Sequence, residues 1–435
     1  MLKKRLLLMA VVLLISPFIH AQFLMDMVDT TKETGRGLLA VYKKFDHLRI
    51  GGYIQPQFQV ATAKGIKSFE GGDFSTQVSN RFMLRRSRVR IDYVHFGKET
   101  KPGVQIVFQF DANERAFTVR DVWGRIFENK FKLFSFTTGI FARPFGYEVN
   151  LSSSDRESPE RGRMSQLHMK SERDLGAMIS FDVRKKEHLL KNIKIDAGFF
   201  NGQGINAAGE FDNTKDFIGR IALKPVSIKK GIQLSAGASV LAGGLQNNTK
   251  YIFTTASAGG IKKVFTDSAS SNIGTNSPRR YYGADLQLKF NNGKNRFTEI
   301  RAEFTAGKQT GTANNAETPI ALLSGTEGFH HRNFNGAYFY FLQHLFSPAH
   351  QLIIKYDWYD PNTKVKGTEI GATGSNFTAA NIKYATLGFG YINYFSENIK
   401  LVLYYARVWN EKTQLAGYTG DVKDDVFTCR LQFRF

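Results

Sequence analysis

The end of the chain alternates between apolar and polar side chains. Within 425–435, every odd-numbered residue from Phe427 to Phe435 is apolar, and every even-numbered residue from Thr428 to Arg434 is polar. Since successive side chains of a strand point to opposite faces, this segment predicts a strand with one apolar and one polar face. An apolar face toward lipid and a polar face toward water are typical of transmembrane β-barrels.

The same alternation recurs along the chain. In 297–307, Ile300 and Phe304 share one face while Arg301 and Glu303 share the other. In 335–345 and 399–409 both faces are apolar or aromatic, so the pattern assigns no inward face and is compatible with a strand beside a neighbouring subunit. We predict an all-β, antiparallel transmembrane barrel of about sixteen strands: 49–60, 81–95, 103–112, 117–127, 133–142, 174–183, 192–201, 214–224, 231–242, 280–290, 297–307, 335–345, 351–360, 381–394, 399–409 and 425–435.

The connectors between these strands alternate in length. Outer-membrane barrels combine long external loops with short periplasmic turns, so the alternation predicts which end of the barrel faces outward. The connector 113–116 is the exception, because it is short on the side of the long loops. Aromatic residues near strand ends predict girdles at the two membrane interfaces: Tyr281, Tyr282, Trp358, Tyr359, Tyr391, Tyr394 and Trp409. The long connectors are 61–80, 143–173, 243–279, 308–334 and 361–380, and the short ones are 96–102, 184–191, 291–296, 346–350 and 395–398.

The beginning of the chain has the pattern of a secretory signal. Basic residues precede an apolar run from Leu6 to Ile19, which ends in a small-residue site before Gln22. We therefore predict a signal peptide over residues 1–21, followed by a periplasmic lead-in over 22–48 and the barrel over 49–435. Export by this route places the protein in the bacterial envelope, and the barrel pattern places it in the outer membrane as a multi-pass protein.

Charge and cysteine content narrow the choice of partners. The formal net charge of +21 falls to +18 when Lys3, Lys4 and Arg5 leave with the signal, so the mature chain favours anionic partners. Secretion argues against nucleic acid and leaves small anionic solutes, outer-membrane lipid and lipopolysaccharide. The single cysteine, Cys429, forms no disulfide within the chain and is expected to face lipid.

One strand concentrates arginines on a single face. Val89, Ile91 and Tyr93 would lie outward, which places Arg86, Arg88 and Arg90 together on the other face at intervals of about 6.6–6.8 Å. Guanidinium groups stay protonated and bind oxyanions with two parallel hydrogen bonds, so such a ladder predicts an anion path. The alternative is that these arginines neutralise acids across the lumen and stiffen the wall; the candidate acids are Asp111, Asp121 and Glu303.

The order of several short motifs resembles the phosphate-selective porins of the O/P type. The motifs are the arginine-rich strand, Arg120-Asp121-Val122-Trp123, the segment 139–148, Ser152-Ser153-Ser154, the segment 172–176 and the segment 198–206. The resemblance implies a sixteen-stranded homotrimeric channel whose third external loop, here 143–173, folds inward and sets the constriction. The basic residues of this loop would act there: Arg143, Arg156, Arg161, Arg163, Lys170 and Arg173. The chain also ends as bacterial outer-membrane proteins do, so Phe433 and Phe435 resemble their assembly signal.

The same loop contains acids that nearly balance its bases: Asp155, Glu157, Glu160 and Glu172, with Asp174 beside it. The constriction could therefore carry a transverse field instead of a purely positive one, which leaves the solute open. No serine–histidine pair stands in a recognisable catalytic context, and His330-His331 has no spaced carboxylate to complete a metal site. We predict no enzyme activity, no metal and no cofactor.

These observations favour a passive outer-membrane porin for small hydrophilic solutes that are anionic and phosphate-like. The alternative is a barrel that anchors a surface complex through its long loops and is only incidentally permeable. Conductance across a planar bilayer distinguishes the two, because a porin must conduct.

Overall fold

The computed structural model describes residues 47–96, 102–207, 209–258, 260–293 and 295–435. Sixteen strands form a closed antiparallel barrel in which each strand pairs with its neighbour along the chain, and two further strands form a hairpin between β9 and β12. The strands are β1 (Leu48–Ala61), β2 (Asn80–Phe96), β3 (Pro102–Ala112), β4 (Phe117–Phe127), β5 (Phe134–Ala142), β6 (Arg173–Asp182), β7 (Ile193–Phe200), β8 (Asp216–Lys229), β9 (Ile232–Gln246), β10 (Ile252–Ala258), β11 (Ile261–Asp267), β12 (Asn276–Asn291), β13 (Phe297–Gly311), β14 (Phe329–His344), β15 (His350–Asp360), β16 (Tyr384–Tyr394), β17 (Ile399–Asn410) and β18 (Val426–Arg434).

Helical structure in these ranges is limited to short segments. The α-helix α1 (Arg163–His168) lies between β5 and β6, and 3₁₀ turns occupy Ser270–Asn272, Gly367–Glu369 and Ala379–Asn381. Within the described part of the chain, no helix has the length and apolar character needed to cross a membrane.

The first and last strands close the barrel. Ile54 pairs with Phe433, and Phe58 pairs with Cys429. Gly52 continues this pairing, because its N–H and C=O exchange hydrogen bonds of 3.1 and 3.0 Å with the backbone of Phe435. A Cβ at Gly52 would lie 2.3 Å from the backbone oxygen of Arg88 and 2.6 Å from the Phe435 ring, so only glycine fits here.

The alternation of faces follows the sequence pattern. On β13, Ile300 and Phe304 are exposed on the outside, while Arg301 and Glu303 are buried on the inside. Inside and outside are also distinct on β14, where Phe339 is 45% exposed outward and Tyr338 is 1% exposed inward. Lipid-facing and lumen-facing side chains therefore alternate even where the sequence is apolar on both faces.

The structure confirms the predicted barrel and all sixteen of its strands. The hairpin formed by β10 and β11 was missed, although Gly259-Gly260 between two short runs rich in β-branched residues is a sequence pattern of a two-residue hairpin turn. The girdle prediction was wrong for Tyr281 and Tyr359, which are 1% exposed and face the lumen, and for Tyr394, which donates to the buried, inward-facing Gln351. Adjacent residues such as Tyr281 and Tyr282 cannot both face lipid in a strand.

The long connectors share one end of the barrel, called here the long-loop end, as the alternation of strand directions requires. The predicted signal peptide 1–21 and most of the lead-in 22–48 lie outside the described residues.

Candidate functional site

The connector between β5 and β6, residues 143–172, lies inside the barrel and is called the inward loop. It contacts strands from all sides of the lumen: the Gly146 amide donates to Ser239 Oγ on β9 at 3.0 Å, and Ser153 Oγ lies 2.5 Å from Tyr53 Oη on β1. Most of its side chains are buried. The loop therefore narrows the lumen and forms much of the interior packing of the barrel.

Glu148 ties the two ends of the inward loop together. Its carboxylate accepts hydrogen bonds from the Gly162 amide at 2.9 Å, Ser165 Oγ at 2.7 Å and Tyr340 Oη at 2.7 Å, and Lys355 Nζ lies 3.2 Å away. Burial opposes ionisation of Glu148, but the charges of Lys355 and Arg156, together with the hydrogen bonds from Ser165 and Tyr340, outweigh it and lower the carboxyl pKa. An ionised, fully hydrogen-bonded carboxylate thus fixes the loop to β14 and β15.

Glu303 on β13 anchors the start of the loop. Its Oε2 accepts from the amides of Tyr147 and Glu148, both at 3.0 Å, and from Tyr338 Oη at 2.7 Å. Gly146 precedes these amides with φ +67°, and a Cβ there would lie 2.2 Å from Glu303 Oε1. Glycine is required at this position both for the backbone conformation and for the close approach of the carboxylate.

Three arginines of the barrel wall converge on one acid of the loop. Glu160 accepts from Arg85 Nε at 2.8 Å, Arg86 Nη2 at 2.7 Å and Arg430 Nη2 at 2.7 Å. Burial raises the pKa of Glu160, but the charges of Arg85, Arg86 and Arg430 outweigh it and hold that pKa well below its usual range. One negative charge therefore faces three positive charges at the junction between wall and loop.

The arginine ladder of β2 lies on the inward face, but its members have different surroundings. Arg86 binds Glu160, whereas Arg88 donates to Asp111 Oδ2, Tyr53 Oη and Ser153 Oγ, each at 2.8 Å. Arg90 pairs with Asp92 at 2.7 Å and keeps 39% of its side chain exposed. Arg86 and Arg88 thus hold the inward loop against the wall, and Arg90 remains open to solvent.

The inward loop divides its own basic residues into two groups. Arg143 and Arg156 are buried and donate to backbone carbonyls, and the Arg163 guanidinium lies 3.7 Å from the Tyr384 ring centroid and 4.4 Å from that of Phe69. Arg143 also lies 3.8 Å from Asp174, and the remaining basic residues pair with acids at shorter distances: Arg161 with Glu172 at 3.1 Å, Lys170 with Glu317 at 2.6 Å, and Arg173, the first residue of β6, with Asp121 at 3.2 Å.

A β-bulge adds an arginine that the alternation does not predict. The pairing of β3 with β4 shifts between Gln109 and Phe110, so Arg120 has no partner in the ladder and its side chain turns inward to Glu172. Bulges change the direction of a side chain in this way, and a period-two pattern does not reveal them. Arg430 was also missed as a site residue, although it lies on the polar face predicted for β18.

His168 is not a cationic member of the lumen. Its ring lies among Tyr281, Phe334 and Tyr359, with centroid distances of 5.0, 3.9 and 5.0 Å. Burial, together with the Arg279 charge, lowers the pKa of His168 to about 3, so the ring is neutral at physiological pH. The described residues hold no group of three or more His, Cys, Asp or Glu side chains arranged to bind a metal ion.

A cavity of about 1130 Å³ opens at the long-loop end and reaches down to Arg85, Arg86 and Glu160. This vestibule is strongly basic, with nine basic residues against four acidic ones. The basic residues are Lys64, Lys67, Arg85, Arg86, Arg115, Arg161, Arg163, Lys170 and Lys423, and the acidic ones are Asp73, Glu160, Glu317 and Asp424. A concave surface lined by one sign of charge raises the local concentration of ions of opposite sign.

The chain is similar in structure to several bacterial outer-membrane proteins. Pseudomonas putida OprB superimposes with a TM-score of 0.59 at 8% identity, covering 94% of this chain and 98% of that chain. The outer-membrane channel DcaP of Acinetobacter baumannii gives 0.53 at 9% identity, covering 89% and 97%. An anion-selective porin from Comamonas acidovorans gives 0.50 at 12% identity, covering 89% and 99%.

Neither a protein-family model nor a curated protein matches the chain at the level of sequence. At such low identities, the structural likeness shows the fold alone. The chain has the fold of outer-membrane porins.

Proposed function

We propose that the protein is an outer-membrane channel through which small hydrophilic anions diffuse passively. The observation that carries this proposal is the basic vestibule, which narrows toward three arginines held by a single carboxylate. The porin fold supports a transmembrane passage, and the excess of basic residues supports a preference for anions. Catalysis is not part of the proposed function.

Phosphate-like ions are the solute class that we propose, on the basis of the resemblance to phosphate-selective porins of the O/P type. The ion-pair geometry indicates which basic groups are available to such an ion. All five of these basic groups pair with acids, but the Arg86 and Arg88 side chains are buried, whereas Arg85 keeps 26% of its side chain exposed, Arg90 39% and Lys170 56%. We propose that an anion passes these partly exposed groups while Arg86 and Arg88 hold the constriction in shape.

The location and assembly that we propose are those predicted from the sequence. We propose that residues 1–21 direct export, that Phe433 and Phe435 form the assembly signal, and that the mature barrel is a homotrimer in contact with outer-membrane lipid and lipopolysaccharide. The residues proposed to reach a neighbouring subunit include Phe339 and Phe341, which are 45% and 37% exposed on the outside of β14. Cross-linking of the folded protein in mild detergent that gave only monomer would contradict the trimer.

A structural barrel is the second candidate, and the observation in its favour is the packing of the lumen. The inward loop buries most of its side chains and contacts several strands, as expected of a rigid plug. Single-channel recording in a planar bilayer tests both proposals. A channel gives discrete, ohmic conductance steps that millimolar phosphate reduces, whereas a plugged anchoring barrel gives none.

A further inference from the structure

Two basic residues face each other on the outside of the barrel. Arg280 on β12 is the register partner of Lys308 on β13, and both side chains are exposed. Register partners on one face of an antiparallel pair have Cβ atoms about 4.5–5.5 Å apart, and like charges at this distance repel each other. The pair therefore needs a compensating negative charge.

The protein itself does not supply that charge. Within the described ranges, neither Arg280 nor Lys308 makes an ion pair or a side-chain hydrogen bond. Their outward neighbours on β12 and β13 are uncharged, and the adjacent register positions Ala242 on β9 and Asn333 on β14 are uncharged too. Arg407, at the same end of the barrel, is by contrast paired with acidic residues.

The outward side of β17 also carries a basic residue, but this one is neutralised. Arg407 Nη2 lies 2.7 Å from Asp421 Oδ2, and its Nη1 lies 2.7 Å from Asp425 Oδ2. The unpaired state of Arg280 and Lys308 is therefore not a general property of basic residues on this rim.

The pair lies just above the outward apolar residues of β12, and this position indicates which molecule binds it. Below Arg280, the outward residues of β12 are apolar from Tyr282 to Phe290. Eight residues of strand span about 27 Å, or about 21 Å along the membrane normal at a tilt of roughly 40°, which is close to the apolar band of an outer-membrane barrel. Arg280 and Lys308 are thus the first charges above the hydrocarbon, at the level of lipid headgroups, with exposed Tyr282 directly below.

We infer that Arg280 and Lys308 bind the phosphorylated headgroup of a lipid in the outer leaflet, with the acyl chains lying along the apolar face of β12 and β13. A phosphate offers several acceptor oxygens to a guanidinium and an ammonium side by side. The side chains face lipid and not the lumen, so a membrane lipid, not a transported anion, is the occupant. The inference rests on the outer-membrane location proposed above and not on anion transport.

Lipid binding is measured with the full folded barrel in detergent micelles. Purified lipid A carrying its phosphates is titrated in, and bound lipid is counted by native mass spectrometry. We expect the double variant Arg280→Gln/Lys308→Gln to bind lipid A at least about tenfold more weakly than the wild type. Each basic residue near a membrane surface strengthens anionic-lipid binding about fivefold, and the variant removes two of them. The matched control is Lys185→Gln/Lys186→Gln, which removes the same charge from an exposed turn at the opposite end and should bind like the wild type.

Three further arms separate the alternatives. Dephosphorylated lipid A should bind wild type and double variant equally weakly, and inorganic phosphate at equal concentration should not displace lipid A. Equal lipid A binding by wild type and double variant, or full displacement by inorganic phosphate, would overturn the inference. A double variant that keeps its lipid but loses its oligomeric state would assign the pair to a subunit contact instead. A folded electrophoretic band of the double variant that disappears at the wild-type temperature shows that the barrel is folded, and because this control needs no conductance, the test stays independent of the channel proposal.

Discussion

Arg86 and Glu160 join the barrel wall to the inward loop through a buried ion pair. Arg86 Nη2 lies 2.7 Å from Glu160 Oε2, and the two side chains are 8% and 3% exposed. An arginine proposed from the sequence to line a pore therefore also holds the constriction in place. The two roles can be separated because Arg90, on the same face of β2, is much more exposed.

Replacing these two arginines singly should have different effects. Arg86→Gln removes a charge-assisted bond to a buried carboxylate, so we expect a loss of about 1–3 kcal/mol in stability, limited because Arg85 and Arg430 still contact Glu160. Arg90→Gln should leave stability unchanged and reduce anion preference. The temperature at which the folded electrophoretic band disappears measures the first effect, and the zero-current potential measures the second. Equal stability losses in both variants would show that Arg90 is also structural.

Gly146→Ala should loosen the inward loop. A Cβ at this position meets Glu303 Oε1 and the backbone is left-handed, so the anchor formed by Glu303 and the amides of Tyr147 and Glu148 must shift. We expect a larger or noisier single-channel conductance. Gly72→Ala is the matched control, since Gly72 also has a positive φ but no atom within 4 Å of an added Cβ. Identical conductance in Gly146→Ala and wild type would mean that this anchor does not shape the passage.

The connector 62–79 should respond to pH through Glu70. Burial raises the pKa of Glu70 to about 7, with Lys355 opposing the shift and Glu160 and Asp357 reinforcing it. A carboxyl whose pKa is higher in the folded state contributes stability that is complete below its ordinary pKa and is lost as pH rises through about 7.

We therefore expect amide exchange in 62–79, corrected for the intrinsic rate, to accelerate between pH 5 and pH 8. Glu70→Gln, which imitates the protonated acid, should remove this dependence. The charged groups around Glu70 are Lys355, Glu160, Asp357, Arg430 and Arg163. A pH dependence that persists in Glu70→Gln would assign the effect to one of these neighbours.

The orientation of the barrel can be tested by labelling intact cells. In a Cys429→Ala background, a membrane-impermeant maleimide should label a cysteine at Lys263, on the exposed hairpin, and not one at Gly293, in the short turn after β12. Both positions are exposed, so only the sidedness of the membrane separates them. Labelling at Gly293 from outside would reverse the assigned orientation.

The barrel was predictable from the sequence, whereas the interior of the site was only partly so. Period-two alternation gives the strands, because each strand separates lipid from lumen. It does not give the partners of a loop that folds inward, since these depend on which strands the loop reaches. Two inward tyrosines show this. Tyr340 donates to Glu148 of the loop, and Tyr338 donates to Glu303, the β13 carboxylate that binds the start of the loop, so the reason for both residues appears only once the loop is in place.

Irregularities in strand register were the second feature that the sequence did not reveal. The bulge that turns Arg120 inward leaves no trace in the alternation of β4, and Arg430 was assigned to the polar face without a partner. Charge totals along the loop also concealed the local arrangement, because three arginines around Glu160 come from two strands distant in sequence.

The zero-current potential of the wild-type channel under a tenfold gradient of potassium chloride tests the central claim most directly, because its sign reports the sign of the charge along the passage. The account predicts a zero-current potential with the sign of the chloride equilibrium potential, approaching the limit of about 59 mV for a monovalent ion. A zero-current potential of zero, or one with the sign of the potassium equilibrium potential, would contradict an anion channel.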